Sequence, residues 1–421
     1  MELISRTWFN NLPHDSQRCC KFSGMCDLEI IMSLGNVPVA DKLLSDNELD
    51  NKEFIAPLEL AFSPGSKLVQ ITNTIPAAYL YNEHYPYFSS VSPALLKHFS
   101  ASASNLVSKL KLGSYSLVVE AASNDGYMLK NFYDRNIPVL GIEPAKKQAE
   151  TAAQQNIPTI NTFFTAKLAT QLVTENKAAD LFLANNVLAH AEDLNDFVKG
   201  ISIILKTDGM AVIEVPYVVD LVNMGEFDTI YHQHIYYFSL MSLAPVFRKY
   251  QMYINDIEHL DVHGGSIRLY VQKINNTGSS IHRFMKNEQN IGLDKIYFYK
   301  TLDTNSKKLK QNLLKLLYSI KSGNKSMAAY GAAGKATTFL AYMQIDKKII
   351  DYVVDLSERK HGLYMGGNHL KIYPTSKLLT DRPDYTLILA WNFADEIIKQ
   401  MREYHGIGGK FIIPIPELKI V

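Results

Sequence analysis

From Ser116 onward the chain alternates strand-sized apolar runs with helical stretches, and that alternation constrains its fold more than any other feature. "SLVVEA" is short enough for a buried strand, "GYMLKNFYD" can start a helix, "PVLGIEP" reads as a second strand and "AKKQAETAAQQN" as a helix. "TINTFF", "ADLFLANNVLA" and "GMAVIEVP" supply three more strands, with the helical "DLNDFVKGISIIL" before the last. Strands that alternate with helices imply a parallel sheet covered on both faces. "INDIEHL" and "SIRLYVQK" then read as a hairpin turned through "DVHGG". Residues 280–322 carry Leu309, Leu313, Leu316 and Leu317 on one helical face, with solvated lysines around the rest. "MAAYGAAGKATTFLAYM", "IIDYVVDLS", "YTLILAW" and "KFIIPIP" make a second, smaller α/β unit.

The first 75 residues are different. Short apolar runs broken by Pro, Gly, Asp and Asn have the texture of a small β-rich lobe. A length of 421 residues suits two or three domains. The expected division is a lobe at 1–75, an α/β domain at 76–275, and a helical linker with a second α/β domain at 276–421. A net charge of +1 leaves no footprint for nucleic acid or an anionic membrane surface. There is no run of about 18 apolar residues and no signal-peptide pattern. Three cysteines are too few for a disulfide framework, which suggests a reducing cytoplasm.

In open parallel sheets the ligand crevice lies beyond the C-terminal ends of the strands. The first strand runs into "EAASNDGYML", which places Glu120, Ser123, Asn124, Asp125 and Gly126 there. The second strand ends in "GIEP", with Glu143 and Pro144, and Glu143 follows Gly126 by 17 residues. An acidic residue at that point can accept both ribose hydroxyls. The G-x-G-x-x-G pattern of dinucleotide sites is absent, and a pyrophosphate would meet Asp125. A cationic nucleoside without phosphates, S-adenosylmethionine, fits the acids better. Asn185 and Asn186, at the end of "ADLFLANN", complete this candidate site.

The segment "FDTIYHQHIYYFS" packs Tyr231, His232, Gln233, His234, Tyr236 and Tyr237 together. Taken with "HYPYFSSVS", "SNDGYML", "GIEPA", "NNVLAHAEDLNDFV", "EVPYVVDLV", "HGGSIRLYV", "YGAAGKATTFL" and "ILAWNFADEI", the chain resembles the C-methyltransferases that act on nucleotide-linked deoxysugars. The blocks are collinear over nearly the whole chain. The resemblance implies a small N-terminal zinc-binding lobe, a central S-adenosylmethionine domain and a C-terminal Rossmann-like domain, the last two holding a sugar nucleotide between them. It implies methylation of a ring carbon, C3, next to a C4 ketone. His234 would be the general base, with Tyr231, Tyr85 and His190 as donors or positioners and His232 and Gln233 beside them. Implied substrate contacts are Tyr217, His263, Ser266, Arg268, Gly331, Lys335, Lys360 and Trp391. Gly331 and Lys335 lie near the diphosphate or serve helix–strand packing; a P-loop is excluded, because its spacing needs Gly where Ala329 stands. The methyl transfer itself needs no metal.

The chain departs from the family pattern at three places. The zinc positions hold Cys20, Ser23, Ser63 and Ser66, and a serine hydroxyl is a poor zinc ligand, so no zinc is expected. Gln233 replaces the usual Glu between the two histidines. Ala122 stands where a Gly is usual. Two other readings remain: an isomerase or epimerase of the same substrate, and a non-catalytic sugar-nucleotide binding protein. The oligomeric state, monomer or dimer, is left open.

Overall fold

The computed structural model describes residues 18–81, 85–262 and 264–421. Among the described residues seventeen strands form three sheets. In chain order they are β1 (Glu29–Pro38), β2 (Ile55–Phe62), β3 (Val69–Ile71), β4 (Val118–Ala121), β5 (Val139–Ile142), β6 (Thr159–Ile160), β7 (Ala179–Asn185), β8 (Leu205–Pro216) and β9 (Tyr236–Tyr237). There follow β10 (Tyr253–Leu260), β11 (Ser266–Gln272), β12 (Met327–Tyr330), β13 (Val353–Asp355), β14 (Ile372–Pro374), β15 (Tyr385–Ile388), β16 (Lys410–Ile413) and β17 (Lys419–Ile420).

The central sheet has the order β10-β11-β8-β7-β4-β5-β6. Strands β4 to β8 pair in parallel. The β10–β11 pair is antiparallel and adds to β8 at the edge. Strands β4, β5 and β7 are buried on both faces, as near-continuous apolar runs require. The C-terminal sheet, β14-β13-β12-β15-β16-β17, is parallel apart from β17. The protein is thus α/β, with two Rossmann-like layers and a small antiparallel sheet.

Some expected elements are shorter. Only Thr159 and Ile160 of "TINTFF" pair as a strand. In "GYMLKNFYD" only Lys130–Tyr133 is α-helical. The helical stretch 280–322 breaks at residues 291–295 into two helices, Ser279–Asn290 and Ile296–Ser322.

The N-terminal sheet has the order β1-β2-β3-β9. Its fourth strand is therefore Tyr236–Tyr237, from the aromatic segment of the middle of the chain, with Val69 opposite Tyr237 and Gln70 opposite Tyr236. Phe62 packs on Tyr299 of the helix Ile296–Ser322, ring centroids 4.8 Å apart. Lobe, central sheet and C-terminal sheet share one apolar core, which supplies the burial a lobe of this size lacks alone. At the family's zinc positions the side chains bond to one another: Cys20 Sγ lies 3.2 Å from Ser66 Oγ, the Ser66 amide donates to Ser63 Oγ, and Ser63 Oγ donates to Asp27 at 2.7 Å. Ser23 Oγ accepts the Met25 amide. Cys19 and Cys26 are joined as a disulfide, a pairing the small number of cysteines did not suggest.

Candidate active site

Three strand ends of the central sheet converge on a group of buried polar atoms. Glu120, at the end of β4, is fully buried, and its Oε1 accepts Asn185 Nδ2 at 3.1 Å. Its Oε2 has no partner among the described residues, nor do Ser123 Oγ, Asp125 Oδ1 and Asn186 Oδ1. Buried polar atoms are rarely left unpaired, so four in one place mark a ligand site. Burial pushes the Glu120 carboxyl well above its ordinary range. Asp125 Oδ2 accepts the Ser90 hydroxyl at 2.5 Å. Glu143 accepts the Asn124 amide at 2.8 Å and the Ala145 amide at 2.7 Å, and burial lifts it to about 7 against those bonds. It thereby clamps the β4 turn to the end of β5. The side-chain amide of Asn161 holds the Glu143 and Pro144 carbonyls.

The turn is tight. Ala122, Asn124, Gly126 and Asn186 all take positive φ (51°, 49°, 80° and 54°). At residue 122 the left-handed backbone explains why glycine is easiest there; alanine carries a cost of about 1 kcal/mol.

Beside this site the aromatic segment builds a second cluster. His234 Nδ1 lies 2.7 Å from the Thr229 carbonyl, to which its N–H donates, leaving Nε2 as an acceptor for the Tyr231 hydroxyl at 2.8 Å. The His190 and His234 rings are 4.8 Å apart. His190 Nδ1 contacts the Gln233 carbonyl at 2.7 Å and the Tyr81 hydroxyl at 2.8 Å. Tyr81 and Tyr85 meet edge to face at 5.2 Å. Burial raises the Tyr81, Tyr85 and Tyr231 hydroxyls well above their ordinary range, so all three stay protonated donors. The structure thus brings Tyr85, His190, Tyr231 and His234 together and adds Tyr81, which the sequence reading passed over.

His232 and Gln233 point elsewhere. His232 is fully buried with Nε2 3.2 Å from the Pro57 carbonyl, and Gln233 Nε2 donates to the Ala40 carbonyl at 2.7 Å. Residues 231–234 form a tight turn, the His234 amide donating to the Tyr231 carbonyl at 2.9 Å, and the two central residues of that turn, His232 and Gln233, reach into the N-terminal lobe and anchor the loop that carries His234. Both side chains expected beside the base are thus bonded to carbonyls of the lobe instead.

Burial holds both His190 and His232 at about 4, below the ordinary 6.5. An unfolded chain therefore binds more protons than the folded one between pH 6.5 and 4. Stability should fall as pH falls through that window, by about 3 kcal/mol per histidine by its lower end. The thermal midpoint of His232→Gln, which cannot take the proton, is expected to decline less between pH 7 and 5 than that of the wild type. Parallel declines would contradict the assignment.

The substrate-side residues divide. Lys335, on the first turn of the helix Gly334–Met343, sits 4.1 Å above the Trp391 ring and hydrogen-bonds Asn392. Trp391 Nε1 donates to Asp228 at 2.7 Å, one residue before Thr229, which holds His234. Burial raises Glu226 to about 8 and Asp228 to about 6, and each keeps an unpartnered oxygen among the described residues. Lys360 Nζ donates to the Ala332 carbonyl at 2.9 Å and lies 3.6 Å from Asp355. Gly331 has φ of 102°, and a Cβ there would come 2.8 Å from the Ala390 Cβ, so close packing alone requires glycine.

The side chains of Arg268, Tyr217 and Ser266, expected as substrate contacts, are each bonded to protein partners. Arg268 is buried, and its guanidinium is committed to Glu214 (2.5 Å) and Glu258 (3.2 Å) beneath the helix Pro93–Leu110. The Tyr217 hydroxyl donates to Glu288 at 3.0 Å, and Ser266 Oγ to the Val262 carbonyl. His263 lies outside the described residues.

Three family models match in chain order: a zinc binding domain over residues 20–81, a methyltransferase domain over 79–255 and a C-methyltransferase C-terminal domain over 261–416. The chain is 30% identical over 405 residues to C-methyltransferase NovU of Streptomyces niveus, covering 96% of each chain. Among solved structures it is similar to an S-adenosylmethionine-dependent methyltransferase of Clostridium acetobutylicum, with 11% identity, TM-score 0.34, and coverage of 42% of this chain and 91% of that one. It is also similar to magnesium protoporphyrin IX methyltransferase of Synechocystis, with 13% identity, TM-score 0.35 and coverage of 43% and 87%. Among the described residues no helix is long and apolar enough to cross a membrane.

Proposed function

The chain belongs to the S-adenosylmethionine-dependent C-methyltransferases, and from that premise we propose that it methylates C3 of a nucleotide-linked 4-keto-deoxyhexose. The observation that carries this reading is the His234–Tyr231 pair beside His190, next to the unpartnered acids of the strand ends.

S-adenosylmethionine, when bound, supplies an electrophilic methyl group on a positive sulfur. Glu120, Ser123, Asn124, Asp125, Gly126, Asn185 and Asn186 suit it, because the unpaired atoms there are mostly acceptors and two belong to acids, which favour a cation and its amino group. Glu143 and Pro144 would border the ribose. The C3–H of a 4-ketosugar ionises only with a base for its proton and donors for the developing oxyanion. His234 Nε2 takes that proton once the Tyr231 hydroxyl turns from it to the C4 oxygen. Tyr85, Tyr81 and His190 line the same oxygen. The C3–H electron pair would pass into the enolate and return from C3 to form the new C–C bond to the donated methyl, with the old C–S bonding pair left on the sulfur of the donor. Lys335, Lys360, Trp391 and Gly331 border the nucleotide side. The N-terminal lobe is read as zinc-free, because serine hydroxyls engaged in hydrogen bonds replace thiolates. We place the enzyme in the cytoplasm.

Two other readings drop the methyl transfer or the chemistry altogether. The buried unpaired acids beside the base favour the transferase over both. The test is to incubate the protein with S-adenosylmethionine and a panel of nucleotide-linked 4-keto-6-deoxyhexoses. A product heavier by one methyl-for-hydrogen exchange is expected, with the new carbon at C3. Protein that binds the cofactor and alters no sugar would refute the proposal.

A further inference from the structure

The turn after β1 is held by the catalytic segment. Gln233 Nε2 donates to the Ala40 carbonyl at 2.7 Å. A carboxylate at 233 could not make this bond, because both groups would be acceptors. With Ala40 so held, Asp41 takes φ of 60°, a left-handed conformation that Asp and Asn tolerate better than most residues.

Asp41 is half-buried. It lies 2.8 Å from where a Cβ on Gly334 would be, so glycine there makes room for it. Burial raises its carboxyl above the ordinary range, Lys360 draws it back down and Asp355 adds to the rise, and Tyr81, Tyr85 and Tyr231 lie within its field. Lys360 is already committed to Ala332 and Asp355. The same loop is fastened to the C-terminal unit farther along, where Glu53 accepts His369 at 2.6 Å and Asp46 accepts the Tyr364 hydroxyl at 2.7 Å. Asp41 is therefore a carboxyl set against the first turn of the helix Gly334–Met343, near the tyrosines around His234, on a turn that Gln233 holds.

We propose that Asp41 is a specificity-determining residue that accepts a hydrogen bond from an O–H or N–H substituent on the substrate's sugar ring, and that Gln233 positions it. This rests on the C-methyltransferase reading of the same site. It gives the Gln at 233 a use: the acceptor at this wall of the pocket comes from residue 41, in the N-terminal lobe.

The experiment compares nucleotide-linked 4-keto-6-deoxyhexoses that carry hydroxyl, amine or hydrogen at one ring carbon. The wild type is expected to prefer a donor-bearing sugar over its deoxy counterpart by about 10- to 100-fold in kcat/KM, the range for a hydrogen bond to a charged group. Whichever of the hydroxyl or amine series shows the preference identifies the donor. In Asp41→Asn, which tolerates the same backbone, that preference should shrink to a few-fold, with cofactor affinity unchanged. Gln233→Glu should erode the same preference. Equal slowing of all three sugars in Asp41→Asn would overturn the proposal and leave Asp41 as a structural support for the neighbouring helix. A wild type that methylates none of the sugars would defeat the functional reading itself, and the assignment of Asp41 with it.

Discussion

His234→Ala is expected to slow methyl transfer by about 10²- to 10⁴-fold, the usual contribution of a general base. The effect should fall on kcat, with S-adenosylmethionine affinity within about threefold of wild type. The geometry behind this is specific. The Thr229 carbonyl takes the Nδ1 proton at 2.7 Å, so the lone pair sits on Nε2, toward Tyr231. Tyr231→Phe keeps that tautomer but loses the oxyanion donor. It should cost about 10²-fold, the lower end of the range for one such donor. Steady-state rates and a calorimetric cofactor titration check both. An His234→Ala enzyme with near-normal kcat would move the base elsewhere.

The second large effect is on stability. Glu214 is buried at 1% exposure on β8, bonded by His98 at 2.9 Å and Arg268 at 2.5 Å. Burial pushes its carboxyl up, but the bonds from His98 and the charge of Arg268 prevail and hold it below its ordinary value. Arg268→Met removes the permanent cation and leaves a buried carboxylate with one histidine. The expected cost is about 3–5 kcal/mol. Arg268→Met with Glu214→Leu should recover most of it, because an apolar pair needs no compensation in the interior. Thermal midpoints of the three variants test this. A single variant as stable as wild type would mean that the pair carries no such burden. Glu214 faces Asn185 across the β7–β8 register, next to Glu120, so the loss should also loosen the cofactor end of the sheet.

The parts of this molecule that could be read in the chain are those set by local pattern. Short apolar runs separated by helical stretches define the central and C-terminal sheets, because a strand buried on both faces needs nothing else to declare itself. The His-Tyr segment was visible for the same reason: five polar aromatics in a few residues have few structural uses. What escaped notice depends on partners far away in sequence. The completion of the N-terminal sheet by Tyr236–Tyr237 joins residues more than a hundred positions apart, and nothing in "LVQI" names its partner. Tyr81 and Asp41 look like ordinary loop residues until the lobe folds over His190. The partners of Arg268 and Tyr217 were equally out of sight: Glu214 and His98 bond the one and Glu288 the other, all more than fifty residues away in the chain. Alternation could not have separated His234 from His232, since extended chain would put the two on one face; the turn at 231–234 is what parts them.

The central claim is that His234 removes the C3 proton of a 4-ketosugar before the methyl group arrives. Exchange at that carbon in deuterated water, without S-adenosylmethionine, tests it most directly. The wild type should wash deuterium into C3 of a sugar that it methylates, and His234→Ala should not. Exchange at an undiminished rate in His234→Ala, or methylation with no His234-dependent exchange, would contradict the account.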